Sequence, residues 1–278
     1  MPYPLQPNRM YRMPTHFGPR TGPRQGPDGR KFECKDNPKS TALAVSFLTD
    51  PAHLEALLPP GFTLAGEPVV TVAATYMTEI EWLAGRGYNT LGVSFPATFR
   101  GDRDHVTGNF LTVLWENLAD PIITGREELG FAKIYCELPE PTVLHGAYHA
   151  IAGWLGFKFL DLSINDLVEQ SSAEIAQVAQ APTNDGTLHY KYVPRTGEWG
   201  VADVAYAVLT PAATPNRVIK ERRLGQGTVA FHHARWEDLP TQYNIVNTFA
   251  DFPVLDYRGA TITKTVGGKD LSDQRILR

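Results

Sequence analysis

Residues 125–139 read GREELGFAKIYCELP, a glycine-opened acidic turn followed by a run in which Lys133 stands among Phe131, Ala132, Ile134 and Tyr135. Taken as a strand over 131–138, the run puts Phe131, Lys133, Tyr135 and Glu137 on one face. Ala132, Ile134, Cys136 and Leu138 fall on the other. The second face is then apolar core, while the first either meets solvent or lines a cavity that contains an ammonium group. Lysine is rarely fully buried without a partner. Three roles fit: a salt bridge, a snorkelling stem with its head in water, or a desolvated amine kept as a nucleophile.

Outward from this stretch the chain is β-rich. Runs dense in Val, Thr, Ile, Phe and Tyr, separated by turn residues, occupy 41–50, 67–77, 92–100, 108–117, 148–164, 189–195, 199–210, 225–236 and 254–266. Such runs predict antiparallel strands. Asp50 as N-cap with Pro51 at the first helical position opens a short helix over 51–60, and a second helix is expected over 239–252. The polar, small-residue segment 169–187 reads as a mobile excursion. There is no repeat, no coiled coil and no strand–helix alternation of the kind a parallel sheet requires. The pattern predicts an α+β chain, mainly antiparallel β, as a barrel or sandwich with a few peripheral helices.

Charge and composition narrow the function. With 42% hydrophobic and 20% charged residues among 278, the chain can build a sizeable core. A net charge of −4 and a pI near 6.1 supply no basic field, so no nucleic-acid partner is expected. Residues 1–30 are a local exception: Arg9, Arg12, Arg20, Arg24 and Arg30 lie among prolines and glycines. We expect an extended arm over 1–30 and one domain over 31–278. The arm lacks the apolar core of a secretory signal, and no run is long enough to span a membrane. A cytoplasmic protein with no membrane partner is therefore expected. Cys34 and Cys136 are too few for a disulfide framework.

Several motifs carry no chemistry. His145 and His149 read as one face of a strand without an adjacent carboxylate, so no metal site is expected. His232 and His233 point to opposite faces of a strand. The glycine pairs at 85–87 and 225–227 have no following helix to cradle phosphate.

At GREELGFAK the chain resembles the acetoacetate decarboxylase superfamily, with its Gly-Arg-Glu segment followed by an aromatic, one residue and a lysine. The likeness extends in matching order through TDPAHLEALLPPGF, GEPVVTVAATYM, WGVADVAYAVLTPA and GTVAFHHARWEDLPT, covering residues 40 to 255. The resemblance implies a β-barrel or cone in a homo-oligomer, with Lys133 forming a Schiff base with a keto substrate and no cofactor. The sequence also departs from the family. Ile134 stands where the family has a second lysine, Ala73 replaces a glutamate of the Glu-Pro strand, and Thr90 replaces one in a Tyr-x-Glu-x-Gly turn. Arg30 is the candidate for the family's arginine before the first strand.

These readings give expected roles. Lys133 is the Schiff-base residue, and Arg126, Glu116 and Tyr243 are catalytic candidates as cation or proton donor. Phe131, Arg30 and Thr90 are candidates for substrate binding. The expected reaction is decarboxylation of a β-keto acid larger or less polar than acetoacetate, with a polyketide-derived acid of secondary metabolism fitting the lost carboxylates. The alternatives are a pyruvate aldolase-dehydratase using the same lysine, and a barrel that binds a carbonyl ligand without turning it over.

Overall fold

In the computed structural model, which describes residues 4–180 and 184–278, fourteen strands form one mixed sheet. In chain order they are β1 (Lys39–Leu48), β2 (Phe62–Leu64), β3 (Val69–Thr78), β4 (Tyr88–Arg100), β5 (His105–Glu116), β6 (Lys133–Tyr135) and β7 (Thr142–Leu144). There follow β8 (Ala147–Trp154), β9 (Phe157–Glu169), β10 (Gly186–Pro194), β11 (Ala202–Pro211), β12 (Val218–Phe231), β13 (Asp256–Val266) and β14 (Arg275–Ile276). The helices are α1 (Pro51–Glu55), α2 (Ala119–Thr124), α3 (Ser172–Gln180) and α4 (Tyr243–Ala250).

Period-2 patterning accounts for the strands. In β1, Leu43, Val45 and Phe47 are buried, and in β3 Val70, Val72, Ala74 and Tyr76 are buried, with more exposed residues between them. β4 is buried on both faces over most of its length, consistent with its place between β3 and β5. Trp115, Phe159, Phe231 and Phe249 pack into an aromatic cluster with centroids 5.3–6.3 Å apart. The Trp115 indole donates to Gln242 at 2.7 Å, so its polar edge is satisfied inside the core.

The expected barrel or cone is not formed. The strands run in an open path, β14-β11-β10-β5-β4-β3-β1-β13-β12-β9-β8-β7, with β2 paired to β4 and β6 to β5. β14 and β7 end this path without pairing to each other. A single isolated bridge, Glu137 to Gly153, links the chain beyond β6 to β8. It is not extended, and Pro139 and Pro141 just downstream lack the backbone donors a longer ladder would need. Nor is the sheet wholly antiparallel, because β5 pairs parallel with both β6 and β10.

Three local expectations also change. The strand over 131–138 shrinks to the three residues of β6, although Cys136 and Leu138 are buried core as expected. The strand drawn through His145 is a hairpin, in which His145 (φ 49°) and Gly146 (φ 80°) make the turn between β7 and β8. The excursion at 169–187 holds α3 within its described part. There Ser171 and Glu174 cap each other, Glu174 accepting from Ser171 N and Oγ at 2.7 Å each. Residues 181–183 of that segment lie outside the described residues.

The arginine-rich arm is tied down. Arg20 forms an ion pair with Glu128, Nε lying 2.8 Å from Oε1 while Nη2 donates to Oε2 at 2.9 Å. Arg12 reaches Thr124 and Glu128, and Arg24 donates to the Leu271 carbonyl at 3.2 Å.

Candidate active site

The chain leaving β5 makes α2 and then a π-helical turn over Gly125–Leu129. π-turns of this kind recur at functional sites. Gly130, at φ 82°, reverses the chain in a left-handed conformation suited to glycine. The next residues form β6, parallel to the end of β5, with Leu114 opposite Lys133 and Glu116 opposite Tyr135. This register brings Glu116 and Lys133 together on one face.

Lys133 is buried and its Nζ lies 2.8 Å from Oε1 of Glu116, whose side chain is 1% exposed. Nζ also donates to the Pro121 carbonyl of α2 at 3.1 Å. Burial pushes the Glu116 carboxyl up to about 7, while the Lys133 charge pulls it the other way. Neither Glu116 oxygen finds a geometrically sound hydrogen bond among the described residues. Among the described residues Lys133 is the cation paired with its charge, and a proton is the alternative.

Lys133 opens on the other side into a cavity of about 520 Å³, a size that takes a drug-sized ligand. Pro121 and Gly125 lie against the lysine side chain, and Tyr88 and Thr124 line the same cavity. Burial, then the Glu116 carboxylate, raise the Tyr88 pKa and keep its hydroxyl protonated. Met77, Ile80 and Trp82 make an apolar wall, and Arg217, Lys269, Glu81 and Asp270 contribute charge.

Of the residues singled out from sequence, Glu116 and Lys133 are brought into contact. Thr90 faces Glu116 directly across the β4–β5 pair and is buried, but it does not line the cavity. Phe131 stacks on His189 at 4.1 Å and 24°, with its ring centroid 5.6 Å from Nζ, behind the cavity wall. His189 is held neutral, lowered to about 4 by burial, with one nitrogen 3.0 Å from the Gly130 carbonyl and the other 3.2 Å from Thr210 Oγ1.

Arg126, expected as a neighbouring cation, does not line the Lys133 cavity. Its guanidinium donates to the Lys133 carbonyl at 2.8 Å and lines a separate 270 Å³ cavity beside Ile134 and Phe249. Arg30 lies at the surface beside Asp28, at 3.3 Å. Tyr243 opens α4 as an exposed residue and lines none of the Lys133 cavity. Among the described residues, no cluster of three or more His, Cys, Asp or Glu is placed to hold a metal. No helix there is long and apolar enough to cross a membrane.

Sequence reasoning missed Tyr88, the Pro121 carbonyl, His189 and Arg217. The first was visible, since Tyr88 opens the YNTLG stretch in which Thr90 was singled out. The others are joined to Lys133 only by the tertiary fold.

Fold and site together describe an amine-centred pocket on an open β-sheet. The chain belongs to the acetoacetate decarboxylase (ADC) family, whose model matches residues 12–267. It is 24% identical over 220 residues to an acetoacetate decarboxylase of Chromobacterium violaceum, spanning 69% of this chain and 87% of that one. The crystal structure of acetoacetate decarboxylase from Legionella pneumophila superposes with a TM-score of 0.64 at 17% identity, covering 91% of this chain and 92% of the other. The enduracididine biosynthesis enzyme MppR complexed with pyruvate superposes at 0.58 with 15% identity, covering 91% and 95%.

Proposed function

We propose that the chain is a Schiff-base lyase that decarboxylates a β-keto acid through an imine on Lys133. The observation that carries this reading is the buried 2.8 Å contact between Lys133 and Glu116 at one end of a ligand-sized cavity. An amine must be neutral to attack, and an ordinary lysine is neutral in only about one molecule in two thousand at pH 7. Ile134 removes the second lysine that the family uses nearby. Glu116 offers another route. When both groups are desolvated, transfer of one proton from ammonium to carboxylate removes two buried charges at once.

The neutral amine adds to the keto carbon, and the carbinolamine oxygen leaves as water with the proton that Glu116 took. The protonated imine then accepts the electron pair of the breaking bond to the carboxyl carbon. Carbon dioxide departs and an enamine remains. Tyr88, which lines the cavity with its hydroxyl protonated, delivers the one proton the reaction consumes to the enamine carbon, and solvent replaces it. Water then hydrolyses the imine to release the ketone.

Borohydride trapping tests the reading. Incubation with 3-oxohexanoate and sodium borohydride should leave a reduced adduct on the peptide carrying Lys133, with release of carbon dioxide. The likeness to a pyruvate-complexed relative supports a second outcome: an adduct with pyruvate and no gas would move the assignment to aldol-dehydration chemistry. An absence of adducts with either acid would leave a binding protein.

A further inference from the structure

Most charges lining the cavity are already matched. Lys133 is paired with Glu116. Lys269 donates to the Pro211 carbonyl at 2.5 Å and pairs with Asp273 at 2.7 Å. Asp270 accepts from Ser272 N at 3.0 Å and Oγ at 2.6 Å. Arg217 is different. It sits in the turn before β12, where its backbone N–H bonds the Thr214 carbonyl at 3.1 Å. Arg217 lines the cavity, and its guanidinium makes no hydrogen bond or ion pair among the described residues. Glu81, also unpaired, belongs to the wall of Met77, Ile80 and Trp82 and lies beyond salt-bridge distance of Arg217.

We infer that Arg217 is a specificity residue that holds a second carboxylate, at the far end of the substrate from the keto carbon. This rests on the Schiff-base reading of Lys133 and names its substrate class: a keto acid extended by a chain that ends in an anion. Both residues line the same cavity, Lys133 as a buried side chain and Arg217 as an exposed one, and we take the exposed residue to mark the mouth. The carboxylate lost in the reaction is bonded one carbon from the keto group and must lie beside Lys133. An ion pair on that group would stabilise it before reaction and oppose its loss. A cation at the mouth suits a carboxylate that stays. The planar guanidinium is built for bidentate contact with such a group. The cavity, about 520 Å³, has room for a ligand larger than a four-carbon acid.

Levulinate and 2-pentanone share a methyl ketone on a five-carbon chain, but only levulinate ends in a carboxylate. Binding of each is measured by NMR titration to the wild type, Arg217→Met, Arg217→Lys and Lys133→Met. The wild type should bind levulinate about ten to a hundred times more tightly. The ratio should fall to about one in Arg217→Met and recover partly in Arg217→Lys. It should persist in Lys133→Met, because charge recognition needs no imine. The Arg217 side chain makes no hydrogen bond or ion pair among the described residues, so its variants should melt with the wild type. Equal binding of the two ketones by the wild type, or a ratio unchanged in Arg217→Met, would overturn the inference. Borohydride trapping of 2-pentanone on wild-type Lys133 separately decides the Schiff-base reading, so the two can fail independently.

Discussion

Gly125 and Lys133 share a space that admits one side chain. A Cβ on residue 125 would stand 2.6 Å from Nζ of Lys133 and closer still to Cδ and Cε. The glycine of the Gly-Arg-Glu segment therefore leaves the path along which the lysine reaches the cavity. In Gly125→Ala the amine must move away from Glu116 or the π-turn must open. The expected outcome is at least a tenfold slower formation of the borohydride adduct, with overpacking costing about 1–3 kcal/mol in denaturant unfolding. Unchanged trapping in this variant would show that the close approach does not position the amine.

Glu116 gives a pH signature whose sign is fixed by its burial. Its folded pKa is raised from 4.5 to about 7, so the folded protein favours the protonated acid. The stability this group contributes is complete below pH 4.5 and is lost as pH rises through 7. Glu116→Gln cannot ionise and escapes that loss. The unfolding free energy of the variant relative to wild type should rise by roughly 3 kcal/mol between pH 4.5 and 7. Denaturant unfolding at four or five pH values measures it, and a difference that stays flat across the window would refute the role of burial.

Local patterning made much of this fold readable. Alternation in β1 and β3 marked those strands. The start of α1 followed from Asp50, whose carboxylate accepts from Ala52 N at 2.9 Å. The Ser171–Glu174 box at the start of α3 was equally local, and the polar, small composition of the segment concealed it. Sheet closure is another matter. It depends on whether distant strand ends meet, and no single stretch encodes that. The same limit applies to the site. Lys133 and Glu116 were both singled out, but their contact arises from a parallel β5–β6 register with α2 and the π-turn between the two strands. Arg217 joins them only because the turn before β12 borders the same cavity.

The arm should depend on Glu128, which Arg20 contacts through two nitrogens with both side chains nearly buried. Removing the charge in Glu128→Gln weakens the Nη2 hydrogen bond and leaves Arg20 without a counter-charge. The cost is expected to be roughly 2 kcal/mol, typical of charged hydrogen bonds. Because Glu128 belongs to the π-turn beside the cavity, release of the arm should be visible by proteolysis. Trypsin should cut after Arg20 and Arg24 several times faster in the variant, before any cut in the sheet. Equal cleavage rates would mean that other contacts hold the arm.

Tyr88 separates imine formation from turnover. Tyr88 lines the cavity, and its hydroxyl is kept protonated by burial and by the Glu116 carboxylate. Attack by Lys133 and loss of carbon dioxide require no proton from this group; protonation of the enamine carbon does. Tyr88→Phe removes the donor and keeps the ring, so the pocket should retain its shape. The variant should form the borohydride adduct at close to the wild-type rate, while kcat falls by about 10²–10⁴, the usual contribution of a positioned acid. Carbon dioxide should appear as a single burst of about one equivalent per chain, because the enamine cannot be discharged. Steady turnover with an undiminished kcat would assign the proton to another source, and loss of the adduct itself would place Tyr88 earlier in the reaction.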